Sequence, residues 1–284
     1  MTPTEGTGRM RLDHDIENAL ISMVRDAARI EIMPRFRNLS AGAITAKSSS
    51  IDLVTVADVA AEEHVTRALQ TILPGAVVIG EEAVSADPTI LDQVADAEVA
   101  VIVDPIDGTW NYAHGLSTFG VILAVTVRGK TVFGLLYDPV NDDWVQASLG
   151  GGAWMASPGL DPRRLHVAPQ RAFSETNGFV PHFMFAKDEQ LAVVQGLARA
   201  KRVTSLFCSC HEYRMMAQGH VDFVQTEGLN CWDHAAGVLA ALEAGGHAQL
   251  SDGRDYAPEL TQGHLTVATG QQLRDEVISE LGLG

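Results

Sequence analysis

The sequence is poor in cysteine and basic residues and has no long apolar run. Its three cysteines are Cys208, Cys210 and Cys231. They are odd in number and form no C-x-x-C pair, so neither a disulfide framework nor a thiolate zinc cage is indicated, and a reducing compartment is expected. No apolar run reaches the roughly 18 residues of a membrane helix, and residues 1–15 lack the apolar core of a signal peptide. We therefore expect a cytoplasmic protein without membrane association.

The shortage of basic residues leaves the chain strongly acidic. It has 20 Lys and Arg against 36 Asp and Glu, a net charge of −16. Such a charge repels polyanions and argues against a nucleic-acid-binding surface. An enzyme of this composition that takes a phosphorylated substrate needs cations at its site. The 284 residues are 46% hydrophobic, which suffices for one large core or two smaller ones.

Apolar periodicity in the first half predicts alternating helices and strands without any internal repeat. The small and hydroxyl-bearing residues at 40–58 predict an exposed loop that runs into a short strand. Pro34 is expected to kink or end the first helix. The other elements predicted here are helices at 13–37 and 59–72, buried strands at 76–80 and 98–105, an intervening helix that begins at Asp87-Pro88, and an antiparallel meander from 119 to 145.

The second half shows a further alternation of elements. Glycine and proline concentrate at residues 150–163, which is the best candidate boundary between the two halves. We expect one compact unit made of residues 1–155 and 156–284, with the site between them. The predicted elements are helices near 187–200, 210–219 and 234–244, strands at 221–225, 247–250 and 264–270, and a last helix.

Carboxylates follow the two buried strands of the first half. One strand leads to Glu81 and Glu82, and the next leads to Asp104. Side chains at the ends of neighbouring strands share one rim of a sheet, where α/β proteins usually place ligands. Because proline fixes φ after Asp104, the carboxylates of Asp104 and Asp107 can turn to one side, with the Ile106 carbonyl near them. An oxygen-only set suits Mg²⁺, Ca²⁺ or Mn²⁺ and not zinc.

Each of these acids alone also has an ordinary structural explanation. Asp-Pro-Ile-Asp-Gly is compatible with a turn after a strand. Paired acids such as Glu81-Glu82 are common at solvated helix starts. Asp58 precedes a predicted helix and is typical of an N-cap, and Asp233 could equally cap a helix that begins at His234.

The acidic segments taken together resemble one known family. The stretches are LVTVAD at 53–58, IGEE at 79–82, DPIDGTWNY at 104–112 and CWDHAAG at 231–237. In this order they resemble the signature stretches of the inositol monophosphatase family, and the resemblance spans about residues 47–246. It implies an α/β (α+β) fold of the layered αβαβα sandwich type shared with fructose-1,6-bisphosphatases. It also implies a homodimer, two or three Mg²⁺ ions, lithium sensitivity, and hydrolysis of a small phosphate monoester by metal-activated water.

The resemblance assigns metal-binding roles to particular residues. Glu81 matches the glutamate ligand of the first metal, and Asp104 matches the bridging aspartate. The Ile106 carbonyl matches a backbone ligand. Asp107 and Asp233 match the ligands of the second ion.

The resemblance assigns other residues to catalysis and substrate binding. Asp58 and Thr109 match the pair that orients the attacking water, and Glu82 matches an acid that supports a third-metal region. Lys47 matches a lysine on a mobile segment near the site, although a solvated loop lysine is an equal alternative. Backbone N–H groups at Gly108 and Thr109 are suited to hold phosphate oxygens, and the remaining predicted substrate contacts are Asp107 and Asp233.

Two departures from the family pattern fall on the leaving-group side. Thr226 stands where inositol-type members carry a glutamate seven residues before Asp233, and Glu227 lies six before. A Gly-Thr-Ala stretch is replaced by Phe207-Cys208-Ser209. Inositol-1-phosphate, histidinol phosphate, fructose-1,6-bisphosphate and 3′-phosphoadenosine 5′-phosphate therefore all remain open as the small phosphorylated metabolite. A non-catalytic metal- or phosphosugar-binding regulatory homologue is the alternative of another class.

Two further patterns receive structural interpretations. Residues 124–131 resemble a phosphate loop, but alanine replaces its first glycine, and Arg128-Gly129-Lys130 fits a hairpin turn better. Cys208, Cys210 and His211 form a possible metal trio, but without further ligands at usable spacing we interpret the cysteines as buried thiols.

Overall fold

The computed structural model describes residues 11–49 and 52–284, which include every candidate site residue. The helices are α1 His14–Ala27, α2 Val56–Ile72, α3 Glu81–Ala86, α4 Gln93–Asp96, α5 Thr109–Ala113, α6 Gln190–Leu197, α7 Ser209–Ala217, α8 Cys231–Glu243 and α9 Gln271–Leu281. The strands are β1 Ile44–Ser49, β2 Asp52–Thr55, β3 Val77–Gly80, β4 Val99–Asp107, β5 Gly120–Val127, β6 Lys130–Asp138, β7 Asp143–Ser148, β8 Gly152–Ala156, β9 Arg163–Arg164, β10 Asn177–Phe179, β11 Arg202–Thr204, β12 Phe223–Glu227, β13 His247–Leu250 and β14 His264–Ala268.

The larger sheet has seven strands in the order β3-β4-β5-β6-β7-β8-β9. Strands β3 and β4 are parallel, and every later pair is antiparallel. This confirms the predicted meander, which continues through β8 and β9. Arg128 and Gly129 form the β5–β6 turn, both with positive φ, so the hairpin interpretation of this segment is confirmed.

The smaller sheet has five strands in the order β11-β10-β12-β14-β13. Strand β10 is parallel to β11 and β12, whereas β14 is antiparallel to both of its neighbours. Strands β9, β10 and β11 were not predicted, because segments of two or three residues carry too little periodicity to be recognised.

Helices and sheets alternate in five layers. Strand β4 is buried on both faces: Val101 and Val103 pack with α1 and α2, while Ala100 and Ile102 pack with α7 and α8. Helices α7 and α8 also pack against the inner face of the smaller sheet, and α6 and α9 cover its outer face. The predicted αβαβα sandwich is therefore confirmed.

Close approach between layers depends on small residues. A Cβ atom at Gly134 of β6 would lie 2.9 Å from the Cα of Ala236 in α8, a distance that atoms do not tolerate. The bare backbone of β6 therefore lets α8 lie directly on the sheet. This contact fixes the height of α8, whose first turn carries Asp233.

Helix boundaries correct two expectations. Helix α2 begins at Val56, not at residue 59, because Thr55 is its N-cap and Asp58 occupies the third helical position of a capping box. Helix α8 begins at Cys231, so its N-cap is Asn230 and Asp233 lies inside the first turn. Neither aspartate is an N-cap.

The N-terminal region agrees in part with expectation. Helix α1 is N-capped by Asp13, continues as a π-helical turn from Ala28 to Ile32, and ends before Pro34. The segment expected to be mostly loop instead contains a two-stranded hairpin, β1 paired with β2. Residues 50 and 51, within this segment, lie outside the described residues. In the described part of the chain, none of the helices combines the length and apolarity needed to cross a bilayer.

Candidate metal centre

Asp104 and Asp107 lie at the end of strand β4, the second strand of the larger sheet. The pairing with β5 becomes irregular between these two residues, where Pro105 removes a backbone donor. The Asp104 carboxylate accepts a hydrogen bond from the Ile106 N–H at 3.0 Å. Asp104 and Asp107 are 2% and 6% exposed, so both carboxylates are withdrawn from water.

Asp233 brings a third carboxylate from the opposite half of the chain. One carboxylate oxygen from each of Asp104, Asp107 and Asp233 lies within 4.8 Å of the others. The Asn230 amide donates to Asp233 Oδ2 at 3.0 Å, which orients this side chain. The structure thus brings together three of the predicted metal ligands, which are 129 residues apart at most in the sequence.

Glu81 and Glu82 occupy the first turn of α3, directly after β3. The Lys47 ammonium on β1 donates to Glu81 Oε1 at 2.8 Å and to Glu82 Oε1 at 2.7 Å. Lys47 is therefore not a solvated loop lysine, since it pairs with two of the predicted acids. Attraction to these carboxylates outweighs burial and raises the pKa of Lys47.

A residue that the sequence did not single out fixes this turn. Glu62 of α2 accepts hydrogen bonds from the backbone N–H groups of Glu82 and Ala83, both at 2.9 Å. Gly80 leaves room for this carboxylate, because a Cβ there would lie 2.2 Å from Glu62 Cδ. The only sequence signal was the position of Glu62 one helical turn after Asp58, which places both acids on one face of α2.

Asp58 and Thr109 form a second polar pair beside the acids. Thr109 Oγ1 lies 3.2 Å from Asp58 Oδ1 and 2.8 Å from the Ile106 carbonyl oxygen. Asp58 Oδ2 accepts hydrogen bonds from the backbone N–H and the hydroxyl of Thr55. Asp58 is fully buried, and burial raises its pKa to about 6.

Asp107 is anchored from the second half of the chain. Ser209 and Cys210, at the N-terminus of α7, donate backbone N–H bonds to its carboxylate, the first at 3.1 Å. The thiol of Cys208 lies 3.0 Å from Asp107 Oδ2. All three cysteines are buried, which confirms the prediction of buried thiols at Cys208 and Cys210. The Cys208 contact with Asp107 was not predicted, because the two residues are 101 positions apart.

The electrostatics of the cluster favour bound cations. Burial raises the pKa values of Glu81, Asp104, Asp107 and Asp233 above those of free carboxyl groups, and repulsion from neighbouring carboxylates adds to the rise for Glu81, Asp104 and Asp107. The Glu82 pKa is raised to about 7, mainly by burial. Concentrated buried negative charge with oxygen donors suits hard divalent cations such as Mg²⁺. The donor set therefore fits the predicted ion.

A cavity of about 610 Å³ opens over these groups. Lys47, Glu81, Asp107, Gly108, Thr109 and Asp233 line its floor. The Gly108 backbone has φ of +83°, which lets the chain turn sharply from β4 into α5. Its opposite wall comes from the second half of the chain and includes Phe183, Phe207, Thr226 and Glu227.

A second group of potential ligand atoms lies at one end of the smaller sheet. Atoms of Glu189, Glu227 and His264 fall within 4.8 Å of one another, and His264 Nε2 lies 3.5 Å from Glu189 Oε2. Within the described residues, Cys208, Cys210 and His211 form no such group.

The αβαβα sandwich with an acidic cluster at the end of strand β4 defines a class of metal-dependent phosphoric monoester hydrolases. The sequence profile of the inositol monophosphatase family matches residues 13–282. The chain therefore belongs to the inositol monophosphatase family and is a phosphoric monoester hydrolase.

Individual relatives support this assignment. An inositol-1-monophosphatase of Caulobacter vibrioides is 31% identical over 244 residues, covering 83% of this chain and 89% of the relative. The Nus factor SuhB of Pasteurella multocida is 30% identical over 248 residues, covering 84% and 85%. The crystal structure of the extragenic suppressor protein suhB from Bartonella henselae has a TM-score of 0.79 at 24% identity, covering 95% and 99%. This last likeness concerns the fold.

Proposed function

We propose that the chain hydrolyses a small phosphate monoester in a Mg²⁺-dependent reaction with water as the nucleophile. The observation that carries the proposal is the meeting of Asp104, Asp107 and Asp233 within 4.8 Å, two of which, Asp107 and Asp233, line a cavity large enough for a small metabolite. Phosphate monoesters are anionic and repel nucleophiles, so their hydrolysis needs neutralising charge at the reacting phosphorus.

The proposed ligands are Glu81, Asp104, the Ile106 carbonyl, Asp107 and Asp233, which would hold two or three Mg²⁺ ions. When bound, such ions neutralise phosphate charge and lower the pKa of a coordinated water. The buried, mutually repelling carboxylates support this assignment. Lithium inhibition is part of the proposal, through the Asp107 and Asp233 position.

The proposed catalytic groups are Asp58, Thr109 and Glu82. The Thr109 hydroxyl can donate its single proton to the Ile106 carbonyl at 2.8 Å or to Asp58 Oδ1 at 3.2 Å, and in either case its oxygen can accept a hydrogen bond from the attacking water. Since the Asp58 pKa is about 6, this carboxylate is largely ionised at neutral pH and orients the hydroxyl. Glu82, with Lys47 against it, supports a third-metal region.

The proposed phosphate contacts lie at the start of α5. Backbone N–H groups of Gly108 and Thr109 follow directly after the Asp107 ligand and suit phosphate oxygens. Lys47 adds the one ammonium group among the described cavity-lining residues and balances the charge of Glu81 and Glu82 until substrate and cations bind. Asp107 and Asp233 approach both metal and substrate.

For the leaving group we propose a set of four candidate esters. Inositol-1-phosphate follows from the family, and histidinol phosphate, fructose-1,6-bisphosphate and 3′-phosphoadenosine 5′-phosphate are the alternatives with the same chemistry. A homodimer and a cytoplasmic location are proposed with it. The division into residues 1–155 and 156–284 likewise remains a proposal, supported by the position of Asp233 opposite the other ligands.

Phosphate release from these four esters tests the proposal. With Mg²⁺ the purified protein should hydrolyse at least one of them, and excess chelator should abolish the activity. Hydrolysis that persists in chelator would contradict the metal role. Binding without phosphate release from any ester would favour the non-catalytic regulatory homologue, a class that the replaced substrate wall keeps open.

A further inference from the structure

Three aromatic rings form a group at the leaving-group side of the cavity. The rings of Phe183 and Phe207 are stacked, with centroids 4.7 Å apart and planes at 10°. Trp110 lies 5.9 Å from Phe207. All three residues line the cavity, and Phe207 remains 42% exposed. We name this set, Trp110, Phe183 and Phe207, the ring group.

The backbone at Phe207 is held in an unfavourable conformation. Its φ is +53°, in the left-handed region that disfavours a bulky side chain. Neighbouring contacts enforce it, since Asn111 Nδ2 donates to the Leu206 carbonyl at 2.8 Å and Glu212 accepts from the Leu206 N–H at 2.7 Å. Strain that the surroundings enforce is typical of binding sites. The exposed aromatic ring at a strained position thus indicates a ligand contact.

The ring group lies next to the reacting phosphate's proposed position. A Cβ at Gly108 would meet the Phe207 carbonyl oxygen at 3.2 Å, so the two backbones are in contact. An alcohol esterified to a phosphate at Gly108 therefore extends toward the rings. Polyols gain little from aromatic faces, whereas planar rings stack on them.

The charges around the cavity restrict the ligand further. Lys47 and His234 are the basic side chains among the described lining residues. Lys47 is paired with two glutamates, and both nitrogens of the buried His234 ring have partners within the protein, the Tyr213 hydroxyl at 3.1 Å and the Gly228 carbonyl at 3.2 Å. Glu212 and Glu227 line the same wall. A second phosphate on the leaving group would therefore find no unpaired cation among these lining residues, whereas a neutral or cationic group needs none.

We infer that the preferred substrate is a monophosphate ester whose alcohol carries a neutral or cationic planar ring, which stacks on the exposed face of the ring group. This inference rests on the proposed function and narrows its leaving group. It favours heteroaromatic alcohols over cyclitols, and single phosphates over bisphosphates.

A substrate panel with matched variants tests the inference. The ring esters are histidinol phosphate and adenosine 2′-monophosphate, and the aliphatic reference is glycerol 2-phosphate, all with Mg²⁺. We expect kcat/KM at least about tenfold higher for one ring ester than for the reference. Phe207→Leu should lower this ratio about tenfold, the effect of losing one stacked ring, whereas Phe207→Tyr should retain it. Trp154→Leu, an aromatic replacement outside the cavity lining, is the control and should leave the ratio unchanged.

The outcomes separate this inference from the proposed function. If the aliphatic and ring esters are hydrolysed equally well, or Phe207→Leu changes both to the same extent, the inference is overturned while the phosphatase proposal stands. If 3′-phosphoadenosine 5′-phosphate, which carries a second phosphate, is hydrolysed better than both ring monoesters, the inferred preference for single phosphates is overturned. If no ester is hydrolysed, both proposals fall.

Discussion

The Glu62 carboxylate is bonded to the backbone N–H of Glu82 at 2.9 Å. This contact joins α2 to the first turn of α3 and sets the position from which Glu81 faces the cavity. A carboxylate at a helix N-terminus satisfies donors that lack partners within the helix. Glu62 is thus a positioning residue: it holds the turn that carries the candidate metal ligand Glu81 and is not itself a proposed ligand.

Replacing Glu62 with glutamine should lower stability and weaken Mg²⁺ binding, although Glu62 is not a proposed ligand. The amide keeps one acceptor oxygen but sets its NH₂ against the second backbone N–H, which costs about 1–3 kcal/mol for an unsatisfied buried donor. We expect a lower melting temperature and a higher Mg²⁺ concentration for half-maximal activity. Glu63→Gln on the exposed face of α2 is the matched control, and equal behaviour of the two variants would contradict the positioning role.

Removing the Thr109 hydroxyl should slow the reaction without unfolding the protein. Thr109→Val is nearly isosteric, and loss of the group that orients water should reduce kcat about a hundredfold or more, with a smaller effect on KM. Thr109→Ser should retain most activity. Thr126→Val is a control, because the Thr126 hydroxyl is buried without a hydrogen-bond partner in the described structure. A kcat for Thr109→Val within a few-fold of wild type would exclude the assigned role.

Glu212 should make stability depend on pH. Burial raises its pKa to about 7 from an ordinary value of 4.5. The unfolded chain therefore releases this proton first, so stability is highest below pH 4.5 and falls as pH rises to about 7, by up to roughly 3 kcal/mol. Glu212→Gln removes the titrating group and should flatten the decline between pH 5 and 8. Chemical denaturation at pH 5 and pH 8 measures the free energy of unfolding. An equal change with pH in wild type and variant would refute the assignment.

Mg²⁺ should stabilise the folded chain more at pH 8 than at pH 5. The raised carboxyl pKa values mean that protons occupy the cluster at low pH and compete with the ion. At a Mg²⁺ concentration a hundred times the dissociation constant, the free energy of unfolding increases by about 2.7 kcal/mol. Calorimetry with Mg²⁺, against NaCl of equal ionic strength, tests this. A shift that NaCl reproduces, or one that is equal at both pH values, would argue against a specific site.

The sequence allowed prediction of the features that depend on neighbouring residues. Asp104, Pro105 and Asp107 lie within four positions at the end of one strand, so the common direction of the two carboxylates follows from local geometry. The meander from β5 to β7 was likewise predictable from short runs of apolar and β-branched residues separated by turn residues. The helix starts were misplaced by three residues at Asp58 and Asp233, because an acid near a helix start resembles an N-cap even when it lies one turn inside.

Contacts between distant segments could not be predicted from the residues alone. The bond between Glu62 and Glu82 joins two helices through a side chain that looks like any surface acid in the sequence. The stacking of Phe183 on Phe207 depends on how two loops meet after the sheets have packed. The sequence did show that Phe207 replaces a family glycine, but only the structure shows that its ring faces the cavity.

The central claim is that the acidic cluster binds the cations on which phosphate release depends. The most direct measurement is Mg²⁺-dependent phosphate release by wild type and Asp104→Asn, with the exposed Asp92→Asn as the control. We expect the control to match wild type, and Asp104→Asn to remain folded and lose activity by about a thousandfold. Full Mg²⁺-dependent activity in Asp104→Asn would contradict the account.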